Sequence, residues 1–312
     1  MFFKISPKPT TDLHVIRRAT ISIQETVKAV VSLLFSLLLF SSSALAASSE
    51  WVNSDFSQIR LIAVQDGDKG LRAGLHIRLD PDWKTYWRSP GDSGVPTVVD
   101  WAGSKNVDVA GISWPVPKRM VLSGYQSIVY QDEVVLLLDA RTGMADQPVH
   151  LAAEVNYAVC KDICVPLLAS LYLELRPGQT GKGDRVHARL LDRFRARVPQ
   201  ISTVPTDHSA QARDLNISAV DLLAANGKQV LEVVLDSKDP LGDTDIFAEA
   251  PVPYSFSPPK VKFSPDRRQA RFSFAVNGGV KNQSLGGIRV TLTAVHAGQG
   301  IEAGYLLNKN PE

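Results

Sequence analysis

Cysteine and methionine are scarce in this sequence, and neither sign of charge dominates it. The 312 residues include two cysteines and three methionines, and the formal net charge is +2 at pH 7. Two cysteines are too few for a cysteine-rich zinc module or a dense disulfide scaffold. A charge this small gives no reason to expect a nucleic-acid partner. The 44% hydrophobic and 21% charged residues are ordinary globular proportions, which exclude a disordered tail protein, a collagen-like repeat and a coiled coil.

Long hydrophobic runs are also missing, apart from one near the N-terminus. Residues 1–28 carry five basic and two acidic side chains, and residues 29–40 form a mostly apolar run that is followed by a small-x-small site at 44–46. This order predicts a secretory signal peptide over residues 1–46. An uncleaved membrane anchor is the alternative, but the run is short for a span of roughly 20 residues. We therefore expect an exported, soluble mature protein, in which an oxidising compartment lets cysteines pair.

The mature chain reads as two domains. Without the signal peptide, 266 residues remain, with 29 basic and 30 acidic side chains, and this length suggests two domains. All five tryptophans and both cysteines precede a Gly/Pro-rich break at residues 176–183. Apolar residues at helical spacing follow the break. The predicted order is a first domain, a linker helix and a second domain, at residues 51–176, 184–198 and 210–312.

The predicted helix has recognisable start and stop signals. Asp184 is a plausible N-cap residue and Pro199 a plausible stop. Its polar side carries five arginines, which we interpret as a solvated face; binding to a membrane surface is the alternative. The arginines are Arg185, Arg189, Arg193, Arg195 and Arg197.

The rest of the mature chain reads as short strands. Runs rich in β-prone residues, some with a period of two, are separated by turns that contain glycine, asparagine or aspartate. The clearest runs cover residues 74–79, 127–130, 167–175, 230–235, 270–275 and 288–294. Many short strands at this spacing favour an all-β fold of antiparallel β-sandwiches over a parallel α/β sheet.

The two cysteines are four positions apart. A fully extended chain would separate the Cα atoms of Cys160 and Cys164 by roughly 13 Å, whereas a disulfide needs about 4.4–6.8 Å. A bond therefore requires a turn at residues 161–163. Since residues 151–157 and 167–175 both read as strands, the pair would lie at the neck of a hairpin.

Three interpretations of the pair stay open on these residues alone. A structural disulfide across so short a loop contributes only about 2 kcal/mol by the chain-entropy estimate. Short rings are easily strained, and strained, exposed disulfides are the exchangeable ones, which favours a redox-active pair. Lys161 would help to stabilise a thiolate at Cys160, with Asp162 partly offsetting it. Cu(I) binding by two thiolates is the third interpretation, although no histidine stands at ligand spacing from them.

Several segments of the first domain together carry a family resemblance. They are WKTYW at 83–87, PGDSG at 90–94, WPVP at 114–117, GYQSIVY at 124–130, EVVL at 133–136, and the Cys160–Cys164 segment that ends in Pro166. In these motifs, residues 51–176 resemble the N-terminal periplasmic domain of the thiol:disulfide interchange protein DsbD family, in its ScsB-like variant. The remainder resembles the second unit of the longer variant. The resemblance implies two immunoglobulin-like antiparallel β-sandwich domains joined by a short helix, in the periplasm.

The resemblance also implies a function for the cysteines. The pair would accept electrons from a separate membrane electron-donor protein and pass them to thioredoxin-like periplasmic proteins. Cys164 would form the mixed disulfide and Cys160 would resolve it, with no cofactor and no metal. The rival is a non-enzymatic periplasmic interaction or copper-handling protein, in which the disulfide is structural and the second domain binds the partner.

The sequence departs from the best-known members in three respects. Only three residues separate its cysteines, as in the ScsB-like branch. The counterpart of the family's cap loop, residues 118–125, has no carboxylate, so Met120 and Tyr125 are the candidates that would shield the sulfurs by apolar contact. The family's transmembrane and thioredoxin-like domains have no counterpart in these residues, which is why we expect a separate membrane protein.

Overall fold

The computed structural model describes residues 48–66, 70–122, 125–177, 182–202, 214–225, 228–278 and 284–308. The predicted signal peptide, residues 1–46, lies outside these ranges. Within them the chain forms twenty strands and one helix. None of the helical structure in the described ranges is long and apolar enough to span a bilayer.

The first half of the described chain forms two sheets. Their strands are β1 (Val52–Asn53), β2 (Ser57–Asp66), β3 (Gly70–Leu79), β4 (Lys84–Gly91), β5 (Val98–Asp100), β6 (Val107–Ser113), β7 (Lys118–Leu122), β8 (Tyr125–Gln131), β9 (Glu133–Thr142), β10 (Val149–Cys160) and β11 (Cys164–Leu175). One sheet has the order β1-β2-β3-β9-β6, and the other has the order β11-β10-β4-β8-β7 with β5 beside β10. All of these pairings are antiparallel.

The second half forms two more sheets. Their strands are β12 (Gln200–Ile201), β13 (Leu215–Ala225), β14 (Lys228–Ser237), β15 (Thr244–Glu249), β16 (Ser255–Phe256), β17 (Lys260–Phe263), β18 (Gln269–Asn277), β19 (Arg289–His296) and β20 (Gln299–Leu306). The orders are β12-β20-β19-β15 and β13-β14-β18-β16, with β17 beside β18. Only the short β12 pairs in parallel, with β20, among the described strands.

Each pair of sheets encloses its own apolar core. Along most of β10, every second residue is buried, as expected for a strand with one face against the core. The first core gathers residues of β2, β3, β8, β9, β10 and β11, and the second gathers residues of β14, β15, β18, β19 and β20. The predicted all-β class of antiparallel β-sandwiches is therefore confirmed. The boundaries at residues 51–176 and 210–312 stay a prediction, because residues 46–312 form one compact unit.

The helix α1 (Lys182–Arg195) begins and ends earlier than the sequence predicted. Asp184 is its third residue, so the prediction that Asp184 is the N-cap was wrong. The helix gives way to a tight turn before Pro199, where the amides of Arg197 and Val198 donate to carbonyls three residues back at 3.0 and 3.1 Å. Leu191 and Phe194 are buried in the first core, so the helix packs on the first sandwich along its apolar side.

A buried histidine lies in a charged cluster on β3. The His76 side chain is fully buried, with Nε2 2.8 Å from Glu133 Oε1, and Arg60 Nε donates to His76 Nδ1 at 3.3 Å. Since a guanidinium only donates, Nδ1 must accept and the proton of the neutral ring sits on Nε2. Burial lowers the pKa of His76 to about 4, although Glu133 opposes the shift.

His76 makes the folded state sensitive to acid. The ring stays neutral in the folded chain down to about pH 4, whereas its ordinary pKa is 6.5. The unfolded chain therefore binds more protons in this window, so this stabilisation is complete above pH 6.5 and is lost as the pH falls towards 4. We expect the free energy of unfolding to drop by about 2 kcal/mol from this group between about pH 7 and pH 5.

Urea unfolding at the two pH values measures this difference. His76→Gln keeps a donor and an acceptor but cannot titrate, so it should remove most of the drop. His150→Gln, at a half-buried histidine on β10, should retain the drop. Equal pH dependence in wild type and His76→Gln would contradict the assignment.

The two pairs of sheets meet through an ionic and aromatic contact. Arg88 on β4 pairs with Glu249 on β15 at 2.6 Å and with Glu302 on β20 at 2.5 Å. Burial alone would lower the pKa of Arg88, but the hydrogen bonds and charges of the two carboxylates outweigh burial and raise it. The ring of Trp87 lies 5.5 Å from that of Phe247. This contact joins the strand that neighbours the cysteines to the second half of the chain.

Candidate redox site

The hairpin β10–β11 brings the two cysteines face to face. Cys160 is the last residue of β10, Cys164 is the first of β11, and the two are directly paired in the ladder. The amide of Lys161 closes the turn by donating to the carbonyl of Ile163 at 3.3 Å. Both thiols are free, and their Sγ atoms lie 2.6 Å apart. The pair can therefore reach disulfide bonding distance with a small closing movement.

The two sulfurs differ in access. Cys160 is 8% exposed and packs in a small apolar cluster with Tyr86, Val129 and Ala158, whereas Cys164 is exposed. Burial raises the pKa of the Cys160 thiol, and its hydrogen bond with Cys164 adds to this, against smaller opposing effects of Tyr86 and Lys84. Cys160 is thus held as a protonated, sheltered thiol beside an accessible one.

Tyr86 provides the hydrogen bond to the accessible sulfur. Its side chain lies on β4, is 1% exposed, and places Oη 3.1 Å from Cys164 Sγ. Burial raises the pKa of Tyr86, and its hydrogen bonds to Cys160 and Cys164 raise it further. The phenol therefore keeps its proton and can donate it in a hydrogen bond to a thiolate. Tyr86 enters the sequence analysis only as part of the WKTYW motif, which does not identify this role.

A lysine other than the predicted one lies beside Cys160. Lys161, which the sequence suggested as a partner for a thiolate, pairs instead with Asp82 at 2.9 Å. Lys84 is the direct partner of Cys160 across β4 and β10, and its charge acts to lower the pKa of Cys160. Its Nζ also donates to the carbonyl of Lys161 at 3.3 Å, which ties the turn to β4.

The predicted cap-loop residues lie away from the row of the sulfurs. Met120 on β7 is paired with Ser127 on β8, and Tyr125 starts β8; both are exposed. Cys160 pairs with Lys84 on β4, and Lys84 pairs with Gln131 on β8. Gln131 lies four residues beyond Ser127 along β8, which is a distance of about 13 Å. Shielding of the sulfurs by Met120 and Tyr125 stays a prediction.

The described residues contain no group of three or more histidine, cysteine, aspartate or glutamate side chains placed to hold a metal ion. Of the predicted site residues, the structure brings together the thiols of Cys160 and Cys164. The phenol of Tyr86 and the lysine side chain of Lys84 belong to the neighbouring strand β4. This arrangement suits thiol–disulfide exchange, which needs two thiols in reach and one accessible sulfur.

Tyr86→Phe should make the pair harder to reduce. A phenol donates strongly to a thiolate but only weakly to a disulfide sulfur, so it stabilises the reduced form. We expect the equilibrium with reduced and oxidised glutathione to shift about tenfold towards the disulfide. Tyr172→Phe is the matched control, because this exposed tyrosine on β11 bonds to His150 at 2.5 Å instead. An equal shift in both variants would contradict a specific role for Tyr86.

A comparison with known families finds a match for the segment of the chain that holds the cysteines. The family described as thiol:disulfide interchange protein DsbD, N-terminal, matches residues 57–175. A domain of unknown function (DUF8393) matches residues 203–308. No curated protein matches the sequence.

Solved structures support the fold. The crystal structure of the N-terminal periplasmic domain of ScsB from Proteus mirabilis aligns with a TM-score of 0.64 and 20% identity, covering 85% of this chain and 100% of that chain. The yeast GGA1 GAE domain aligns with a TM-score of only 0.25 and 13% identity, over 40% of this chain and 97% of that one. This similarity is too weak to indicate a shared fold. Residues 57–175 thus match the family model of DsbD N-terminal domains, and the chain is similar in fold to the N-terminal periplasmic domain of ScsB.

Proposed function

We propose that this protein is a periplasmic thiol–disulfide exchange module that reduces thioredoxin-like partner proteins through Cys164. The observation that carries the proposal is the asymmetry of the two thiols, which lie 2.6 Å apart with Cys164 exposed and Cys160 sheltered. Exchange requires one sulfur that an outside disulfide can reach and a second that can displace the partner afterwards. The DsbD-family match of residues 57–175 supports the same reaction class.

The reaction proceeds in two displacements. The Cys164 thiolate attacks one sulfur of the partner's disulfide, so a new S–S bond forms and the partner's other sulfur leaves as a thiolate. Cys160 then gives up its proton and attacks Cys164 Sγ, which releases the partner's remaining sulfur. The partner gains two electrons and becomes a dithiol, and Cys160–Cys164 becomes a disulfide. A membrane electron-donor protein would then reduce this disulfide for the next cycle.

The high pKa of Cys160 suits the resolving role. A thiol that stays protonated competes poorly for the first attack. Once Cys164 is bound to the partner, the leaving thiolate of the first step is a ready acceptor for the Cys160 proton. The order of attack therefore follows from burial on β10 and exposure on β11.

Trapping of the mixed disulfide tests the proposal. Cys160→Ser cannot resolve the intermediate, so incubation with an oxidised thioredoxin-like periplasmic protein should accumulate a covalent adduct that dithiothreitol releases. Cys164→Ser is the matched control and should give no adduct. Absence of an adduct with Cys160→Ser would overturn the exchange function and leave the rival, a structural pair in an interaction or copper-handling protein. A Cu(I) titration of the reduced protein then tests copper handling.

A further inference from the structure

A buried glutamine lies where the two halves of the chain meet. The Gln126 side chain on β8 is 4% exposed. Its Nε2 donates to the carbonyl of Phe256, on β16, at 2.5 Å. Its Oε1 accepts a hydrogen bond from Arg119 Nη1, on β7. Both polar ends of this buried amide are paired, so its orientation is fixed by its partners.

Residues in the second half of the chain also bind the side chain of Arg119. Arg119 Nε donates to Asp245 Oδ2 at 2.8 Å, and its Nη2 donates to the carbonyl of Ile246 at 2.6 Å. Its guanidinium also lies 4.8 Å from the ring centroid of Phe247. Strands β15 and β16 thus fix both hydrogen-bond partners of the Gln126 amide.

The backbone of Gln126 is also hydrogen-bonded to the turn at residues 90–94. The amide of Asp92 donates to the carbonyl of Gln126 at 2.8 Å, and the amide of Gln126 donates to Asp92 Oδ2 at 2.8 Å. Gly91 has a φ of +88°, and a Cβ atom there would lie 2.5 Å from the carbonyl oxygen of Gln126. Only glycine allows the turn to approach β8 this closely.

The turn lies against the ring of Tyr86. A Cβ atom at Gly94 would lie 2.6 and 2.8 Å from Tyr86 Cδ1 and Cε1. The turn therefore forms one wall of the space that holds this ring, and the ring holds its Oη 3.1 Å from Cys164 Sγ. A shift of the turn would leave the ring free to move away from the sulfur.

We propose that Gln126 is a positioning residue, through which the second half of the chain holds Tyr86 against Cys164 and so favours the reduced pair. The contacts run from β15 and β16 to Gln126, from Gln126 to the turn at 90–94, and from the turn to Tyr86. The inference rests on the proposed exchange function and gives the second half of the chain a part in it. Residues beyond 203 would thus affect the chemistry of the two sulfurs indirectly, because none of the contacts described above joins them to a sulfur.

Redox equilibrium in a double-mutant cycle tests this inference. The full mature chain with both cysteines is equilibrated with reduced and oxidised glutathione, and the ratio of dithiol to disulfide is measured by alkylation and mass. Gln126→Ala should shift the ratio about threefold towards the disulfide, because the hydrogen bond from Tyr86 is weakened rather than deleted. In the Tyr86→Phe background, Gln126→Ala should have no further effect, since the two act through one contact.

Two further variants separate positioning from a general loss of stability. Gln229→Ala removes another glutamine that is paired at both ends, to Ser284 at 2.6 Å and to the amide of Leu285 at 3.0 Å, and should leave the redox ratio unchanged. Asp245→Asn, which weakens the hold on Arg119 without opening a cavity, should shift the ratio in the same direction as Gln126→Ala and provides the test if that variant does not fold.

An unchanged ratio in both Gln126→Ala and Asp245→Asn, or an equal shift with and without the Tyr86 hydroxyl, would overturn the inference. Wild-type protein that exchanges normally in the same assay shows that such a failure concerns the positioning role alone. Wild-type protein that does not equilibrate with glutathione at all would overturn the exchange function together with this inference.

Discussion

Iodoacetamide should modify Cys164 about 100-fold faster than Cys160 near neutral pH. The comparison uses Cys160→Ser, in which only Cys164 can react, and Cys164→Ser, in which only Cys160 can react. Cys160 is 8% exposed and burial raises its pKa, so both access and thiolate content are low. Cys164 opens an edge strand and is exposed to reagent. Mass spectrometry of quenched samples gives both rates.

Unfolding supplies the control for this experiment. In guanidinium chloride the shelter of Cys160 is gone, so the two single-cysteine variants should react at rates within about twofold of each other. Equal rates in the folded proteins, or faster modification of Cys160, would contradict the assignment of Cys164 as the attacking thiol.

Arg88→Met should destabilise the chain by about 3 kcal/mol. Methionine keeps much of the apolar stem but leaves Glu249 and Glu302 without their shared cation, and these carboxylates are only 21% and 17% exposed. Charges that are largely removed from water are costly when unpaired. The Arg88 side chain retains 26% exposure, which places the effect at the lower end of that found for buried pairs.

The free energy of unfolding in urea measures this effect. Arg176→Met is the matched control, since Arg176 pairs with Glu174 at 2.8 Å and their side chains are 57% and 34% exposed, and removal of an exposed pair costs at most about 1 kcal/mol. If both variants lose the same free energy, the contact between the two halves of the chain is no stronger than a surface ion pair.

The hairpin that holds the cysteines could be predicted because its signals are local. Four residue steps, a polar turn and two flanking β-prone runs fix Cys160 opposite Cys164 with no information from elsewhere in the chain. The all-β class followed in the same way from strand lengths and turn residues. The helix was found, but its ends were not, because the final turn tightens and because Lys182 already has helical conformation ahead of Asp184.

The surroundings of the sulfurs could not be predicted, because they depend on which strands become neighbours. β4 lies between β8 and β10, and this order brings Lys84 beside Cys160 across 76 positions of sequence. Lys161 is adjacent in sequence but points to Asp82. A tyrosine between a threonine and a tryptophan gives no sign that its hydroxyl reaches a thiol. The one available signal was the glycine-rich turn that follows it, whose close packing requires residues without a side chain.

The reduction potential of the Cys160–Cys164 pair tests the central claim most directly. Equilibration of the protein with glutathione, followed by alkylation of free thiols, gives this value. An exchangeable pair should have a potential between about −120 and −270 mV, the range of proteins that trade disulfides. A potential below about −300 mV would show a structural disulfide and contradict the claim.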